Sequence, residues 1–367
     1  MSDGQIRRPT AGAEIEMMDK DMERDNEREK DRALQAEEMK PLQDAYGRRI
    51  DYLRISLTDR CNLRCGYCMP RDGILPLKHE EILRLEEVYR VAEVLTGMGI
   101  RRIRLTGGEP LVRRNLLMLV RKLGELPEKP ELAMTTNGVL LGDSLDELYA
   151  VGLRSVNISL DTRDPATYRT LTGVDALDRV EQALERALAL GMKVKLNSVL
   201  IRDVNDRELE SLAGMAKDHP MAVRFIELMP IGCARGYTGV DGSEILNRLE
   251  KAYGPAEPVM GYEIGRGPAE YVHFQGFQGN VGFINPMSHA FCATCNRVRL
   301  TADGRLKLCL YYPNGPELLP MIRRGCSDEE LREVILRELQ YKPERHDFGT
   351  KDKGKCKETR NMNQIGG

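Results

Sequence analysis

The sequence predicts an α/β protein: a partial (β/α)6 barrel of TIM type over residues 47–232, with a charged extension (1–46) before it and a smaller C-terminal domain (233–367) after it. Three observations carry that prediction. Short β-rich runs alternate six times with longer helical stretches, the pattern of a parallel sheet with right-handed crossovers. Gly99, Gly152 and Gly191 stand between a helical stretch and the next strand, where a helix C-terminus is capped. The chemically unusual residues fall just after the strands, on the rim where barrels of parallel strands carry their active sites.

The elements follow in order. Asp19–Arg32 (DKDMERDNEREKDR) is almost all charged and reads as a solvated helix or as disorder, without a catalytic role. The predicted strands are Leu53–Leu57, Arg102–Thr106, Glu131–Thr136, Ser155–Leu160, Lys193–Val199 and Val223–Leu228. Helices are predicted over His79–Met98, Arg114–Leu123, Ser144–Val151, Leu177–Leu190 and Arg207–Lys217. The rim then carries a cysteine loop, Gly107-Gly108-Glu109-Pro110, Asn137-Gly138, Asp161 and Met229-Pro230. Beyond about residue 232 the alternation stops and glycine and proline rise, so this part is expected to pack as a separate domain across the barrel opening.

Composition narrows the function. With 41% hydrophobic residues the chain can bury a large core, and a net charge of −2 gives no nucleic-acid signature. No apolar run reaches membrane-spanning length, and MSDGQIRRPT is not a secretory signal, so a cytoplasmic protein is expected. In that setting nine cysteines read as metal or redox groups rather than disulfides. Cys61, Cys65 and Cys68 form one group and Cys292, Cys295 and Cys309 another, while Cys233, Cys326 and Cys356 are scattered.

The first group is C-x3-C-x2-C, directly after a strand. Soft thiolates in a tight loop suit zinc or iron–sulfur. Three ligands fall short of the four that a structural zinc site takes, and on a 4Fe–4S cluster they leave one iron open to a small molecule. This loop and the barrel resemble the radical S-adenosylmethionine (SAM) superfamily. The resemblance implies that the open iron chelates SAM and that one electron yields a 5′-deoxyadenosyl radical. It further implies SAM contacts at Tyr67, between the second and third cysteines, at Gly108 and Glu109 of the Gly-Gly-Glu-Pro segment, whose carboxylate could hold the SAM ammonium, and at Ser159 and Met229.

The second group is C-x2-C-x13-C. It reads either as a zinc ribbon completed by His289 or Cys326, or as a second open 4Fe–4S cluster. From about Gly47 to Gly367 the chain resembles the GTP 3′,8-cyclases of molybdenum-cofactor biosynthesis, above all in LRISLTDRCNLRCGYCMP, RLTGGEPLVRR, TTNG, NISLD, RFIELMP, FCATCNRVRLTADG and MNQIGG. That resemblance implies two 4Fe–4S clusters, GTP as substrate, a homodimer, an external one-electron donor and a downstream cyclic pyranopterin monophosphate synthase.

A triphosphate requires fixed cations, and a charge inside a barrel strand is costly unless an ion meets it. Arg54, Arg104, Lys195 and Arg224 lie in predicted strands, while Arg297 and Arg299 share one face of an extended segment. The resemblance implies GTP contacts at Arg54, Arg104, Lys195, Arg297 and Arg299, with Thr135, and leaves Arg224 as a weaker addition. It also makes the terminal Gly366 and Gly367 catalytic, together with Arg54. No P-loop is present, so GTP would be rearranged rather than hydrolysed. A radical SAM enzyme acting on a peptide, and a zinc-ribbon binding module fused to a barrel, are the competing readings.

Overall fold

The computed structural model describes residues 41–259, 267–348 and 357–366. Most of the expected extension, Cys356 and Gly367 lie outside the described residues.

The first six strands are β1 (Tyr52–Ser56), β2 (Arg102–Thr106), β3 (Glu131–Thr136), β4 (Ser155–Ser159), β5 (Lys193–Ser198) and β6 (Ala222–Ile226). Each pairs in parallel with the next. Period-two burial explains their placement. Leu53, Ile55, Ile103 and Leu105 are fully buried beneath the helices, each worth about 1.5–3 kcal/mol of apolar burial. The alternate positions (Tyr52 and Arg54, Arg102 and Arg104, Asn157, Lys195) are polar and line the barrel interior. A closed TIM barrel packs its interior with branched apolar side chains; here the polar alternation keeps a cavity open.

The helices between these strands are α1 (Leu85–Gly97), α2 (Leu116–Gly124), α3 (Leu145–Ala150), α4 (Pro165–Thr172), α5 (Leu177–Ala189) and α6 (Leu209–Asp218). The sequence reading lacks α4, although its start is written in the chain. Asp164 accepts from the Thr167 amide at 2.7 Å, and Pro165 fills the first turn.

The C-terminal part shares the barrel's sheet. The remaining strands are β7 (Ala256–Val259), β8 (Glu270–Phe274), β9 (Asn280–Ile284), β10 (Arg297–Leu300) and β11 (Leu306–Lys307), and all join the same sheet. The strand order is β11-β10-β1-β2-β3-β4-β5-β6-β9-β8-β7, with β10 parallel to β1 and β9 parallel to β6. Residues 233–367 therefore extend the barrel at both edges, and one compact unit runs from Leu42 to Gly367. Inward-facing arginines on β10 and the burial of Val298 and Leu300 favour this pairing over a separate core. The later helices are α7 (Gly242–Tyr253), α8 (Leu318–Arg323), α9 (Asp328–Leu339) and the short α10 (Met362–Ile365). Among the described residues no helix is long and apolar enough to cross a membrane.

Candidate active site

The barrel interior holds a cavity of about 680 Å³ whose walls include all six grouped cysteines. Cys61–Cys68 forms the loop after β1. The α4 helix, whose last carbonyls need partners, pins that loop: the Arg64 amide donates to Thr172 O at 2.7 Å and the Gly66 amide to Leu171 O at 3.3 Å. Cys68 N and Met69 N both donate to Cys65 O. The three thiols are free, and burial first and their mutual repulsion second hold Cys65 well above its ordinary value. Burial, with repulsion from Cys61, pushes Cys68 up to about 12. Packed thiolates of this kind call for a cationic centre among them, which fits an iron–sulfur cluster.

The rim residues around this loop are interlocked. Tyr67 donates its hydroxyl to Asp161 Oδ2 at 2.6 Å, and Asp161 Oδ1 accepts from the Val199 amide at 2.8 Å. Burial brings Asp161 up to about 6 despite those bonds. Asn137 Nδ2 donates to Asn62 Oδ1 at 2.8 Å and reaches Cys61 Sγ at 3.7 Å. A Cβ on Gly108 would run into the Arg60 carbonyl, so only glycine lets the two rim segments touch there. Ser159, Met229 and Gly108 line the cavity as expected. Glu109 is placed differently. It is fully buried and outside the cavity lining, and its carboxylate accepts from Leu111 N (3.1 Å), Thr136 Oγ1 (2.8 Å) and Asn137 N (2.8 Å). Burial raises it to about 7. It braces the Asn137 turn from behind the wall.

The second group sits on a short 3-10 turn, Cys292–Thr294, just before β10, with Cys309 just after β11. Two cations that sequence reasoning missed hold it. Arg48 donates to Cys292 O at 2.9 Å while paired with Asp44 at 2.6 Å. The buried Lys342 donates to Arg297 O at 3.0 Å and to Leu308 O. Burial works against the Cys295 thiolate, but Lys342 and Arg297 outweigh it and bring that thiol below its ordinary value. Neither His289 nor Cys326, the fourth ligands that a zinc ribbon would take, lines the cavity. Among the described residues no three His, Cys, Asp or Glu side chains converge on a position for a single metal ion. The donor chemistry, a trio of free soft thiols in each group, suits a cluster with an open iron.

The expected cations come together in the same cavity. Sheet register sets Arg54 directly opposite Arg104 on one side and Arg299 on the other, a row of three guanidiniums across β2, β1 and β10. Arg104 reaches Thr135 Oγ1 at 3.4 Å. Lys195, brought down to about 8 by burial and by Arg224 and Arg104, completes the group; Arg224 is tied to Asn197 Oδ1 at 2.5 Å. Burial first and Arg299 second push Arg54 well below its ordinary value. Like charges facing across strands are unfavourable, and a polyanion would relieve them.

The tail also enters the barrel. Arg299 Nη1 donates to Gly366 O at 3.0 Å, and Asn363 Nδ2 donates to Asp59 O at 2.8 Å. Gly366 has φ +76°, and a Cβ on it would lie 2.9 Å from Ser56 Cβ. Its base is fixed by a buried ion pair between Lys307 and Glu358, both at most 1% exposed.

Comparisons with known proteins agree with this geometry. Residues 55–216 match the family model of the radical SAM superfamily, and residues 221–348 match the Molybdenum Cofactor Synthesis C model. A protein named GTP 3′,8-cyclase from Clostridium perfringens (strain 13 / Type A) is 44% identical over 326 residues, covering 89% of this chain and 100% of that protein. One of the same name from Moorella thermoacetica is 46% identical over 330 residues, covering 89% of this chain and all of its own length. Among solved structures, Streptococcus suis SuiB bound to S-adenosylmethionine has a TM-score of 0.55 at 16% identity and covers 86% of this chain and 77% of its own, a likeness of fold.

Proposed function

The chain belongs to the GTP 3′,8-cyclase family of radical SAM enzymes, and from that premise we infer that its cavity binds GTP beside SAM and closes a bond between C3′ of the ribose and C8 of the guanine. The product is (8S)-3′,8-cyclo-7,8-dihydroguanosine 5′-triphosphate, the first intermediate on the way to molybdenum cofactor. One observation carries the reading: two free cysteine trios and a row of mutually opposed arginines share one cavity.

Cys61, Cys65 and Cys68 would hold the 4Fe–4S cluster that a radical SAM enzyme uses. That cluster, when bound with SAM, supplies the 5′-deoxyadenosyl radical. Tyr67, fixed by Asp161, and Gly108, Ser159 and Met229 form the SAM side of the cavity. Cys292, Cys295 and Cys309 would hold a second 4Fe–4S cluster that orients the guanine. Arg54, Arg104, Lys195 and Arg297, with Thr135, hold the triphosphate, and Arg224 adds a further cation beside Lys195 that the same anion would relieve. Anchoring the charged end away from the reacting ring fixes the ribose, so that C3′ is presented to the radical and C8 lies within reach of C3′. Arg299 and the Gly366 backbone close the site, and the side-chain-free tail lets backbone approach the nucleotide.

The test is an anaerobic assay of the reconstituted protein with SAM, a strong reductant and GTP, read by mass spectrometry. The expected result is 5′-deoxyadenosine together with a GTP isomer that oxidises to a pterin. 5′-Deoxyadenosine formed while GTP stays unchanged would retain the radical chemistry and overturn the substrate.

A further inference from the structure

Tyr52 opens β1, and its register partners are Arg102 on β2 and Arg297 on β10. It faces inward, like Arg54 two residues on, and is half-buried against the cavity. Its ring is surrounded by guanidiniums. The Arg102 carbon lies 5.3 Å from the ring centroid, that of Arg297 5.6 Å and that of Arg104 5.9 Å. Arg104 also donates Nε–H to the Tyr52 hydroxyl.

The three arginines differ in what else holds them. Arg102 is paired with Asp51 at 2.7 Å. No carboxylate pairs with Arg104 or Arg297 among the described residues. Arg297 lies between two rings, 5.6 Å from Tyr52 and 5.3 Å from Phe291, and its Nε has no hydrogen-bond partner there. Arg297 thus has aromatic rings, and Arg104 the Tyr52 hydroxyl, in place of counter-ions. An aromatic face attracts the Arg297 guanidinium without consuming the N–H donors in its plane, so that fork stays available to a ligand, while the hydroxyl holds Arg104 through its Nε–H. A carboxylate in the same place would hold the arginine more tightly and compete with the phosphate. The phenol registers the same crowding: burial would raise it, yet Arg104, Arg54 and Arg297 bring it down to about 7.

We propose that Tyr52 is the platform on which Arg104 and Arg297 are held ready for phosphate, a positioning residue that sets the preference for a polyphosphorylated over an unphosphorylated guanine nucleoside. This rests on the reading of the cavity as a GTP site. Tyr52 does no chemistry; it keeps two mutually repelling cations aimed at one anion.

The experiment uses the anaerobically reconstituted holoprotein and measures binding of GTP, guanosine and inorganic triphosphate by equilibrium dialysis for wild type, Tyr52→Phe and Tyr52→Leu. The leucine variant is expected to lose about tenfold in affinity for GTP and for triphosphate while binding guanosine as wild type does. The phenylalanine variant keeps the ring against Arg297 but loses the hydroxyl that holds Arg104, and is expected to recover part of the loss. In turnover the leucine variant should raise KM for GTP far more than it lowers kcat. Unchanged triphosphate and GTP binding in Tyr52→Leu, or an equal loss for guanosine, overturns the proposal. Wild-type protein that binds triphosphate through Tyr52 but ignores GTP would leave the platform standing and remove the guanine reading instead.

Discussion

The two cysteine groups share one cavity but differ in their electrostatic settings. Around Cys61, Cys65 and Cys68 burial dominates, and Asp161 at Cys65 and Glu109 at Cys61 add repulsion that Arg64 offsets only at Cys61. Around Cys295 they are cations, Lys342, Arg297 and Arg48, and that thiol is lowered. Equal ligand count and similar spacing therefore conceal unequal sites. The first is built to welcome positive charge, which suits a sulfonium cosubstrate with its ammonium group. In the second, burial raises Cys292 but the cations around Cys295 stabilise negative charge there, on the side where Arg297 faces the cavity.

Breaking either group tests the division most severely. Cys65→Ala should abolish 5′-deoxyadenosine formation, whereas Cys295→Ala should still cleave SAM but form no cyclised nucleotide; anaerobic product analysis of both variants checks this, and loss of SAM cleavage in both would erase the distinction. A smaller effect is expected at the cationic support. Lys342→Met removes the charge that lowers Cys295 and leaves two carbonyls without their donor, so iron held by the second group should fall about tenfold in stability towards a chelator, with the first group unaffected. Iron release followed by absorbance would show one fast and one unchanged phase.

The smallest effect belongs to Asp161. Its folded value, about 6, lies above the ordinary 3.8, so its ionisation costs the folded state above pH 6, and that cost is relieved as the pH falls through 6 towards 3.8. The ionised carboxylate is also the form that grips the Tyr67 hydroxyl. SAM affinity should therefore weaken severalfold as the pH drops below about 6, and Asp161→Asn should be weaker at neutral pH with a flat profile from pH 5 to 8. A titration of SAM binding at several pH values reads both.

Much of the barrel was legible in the sequence. Arg102–Thr106 and Glu131–Thr136 are strands over the predicted residues, because Ile103 and Leu105, like Leu132 and Met134, recur at every second position on the buried face. Cys61, Cys65, Cys68, Arg54, Arg104 and Lys195 could be placed because they follow or occupy those strands; Tyr67, Ser159, Met229 and the roles of Arg297 and Arg299 came from the family resemblance. The C-terminal half was not legible as structure. Its strands are only two to five residues long, and β10 pairs with a strand far away in the chain, which no local periodicity records. Arg48 and Lys342 were missed for a similar reason: each holds a carbonyl near the second group, a role that leaves no spacing signature. Glu109 was found, but its side chain serves the fold of the turn rather than the cavity surface. The Asp164-Pro165 start of α4 was readable and overlooked. Tyr52 falls one residue before the predicted first strand, Leu53–Leu57, and its place among three arginines arises only where β2 and β10 pair with β1.

The row Arg104–Arg54–Arg299 has a consequence for how the chain folds. It exists only once β10 has returned to β1, a junction sealed by Asn296 donating to Asp51 across 245 residues of sequence. Closing so long a loop is slow, because the entropy is lost before the contacts form. Here the contacts between β1 and β10 also bring like charges together, which works against the junction electrostatically. An anion held among the three guanidiniums offsets that repulsion, so a bound polyanion stabilises the joined sheet as well as occupying the site.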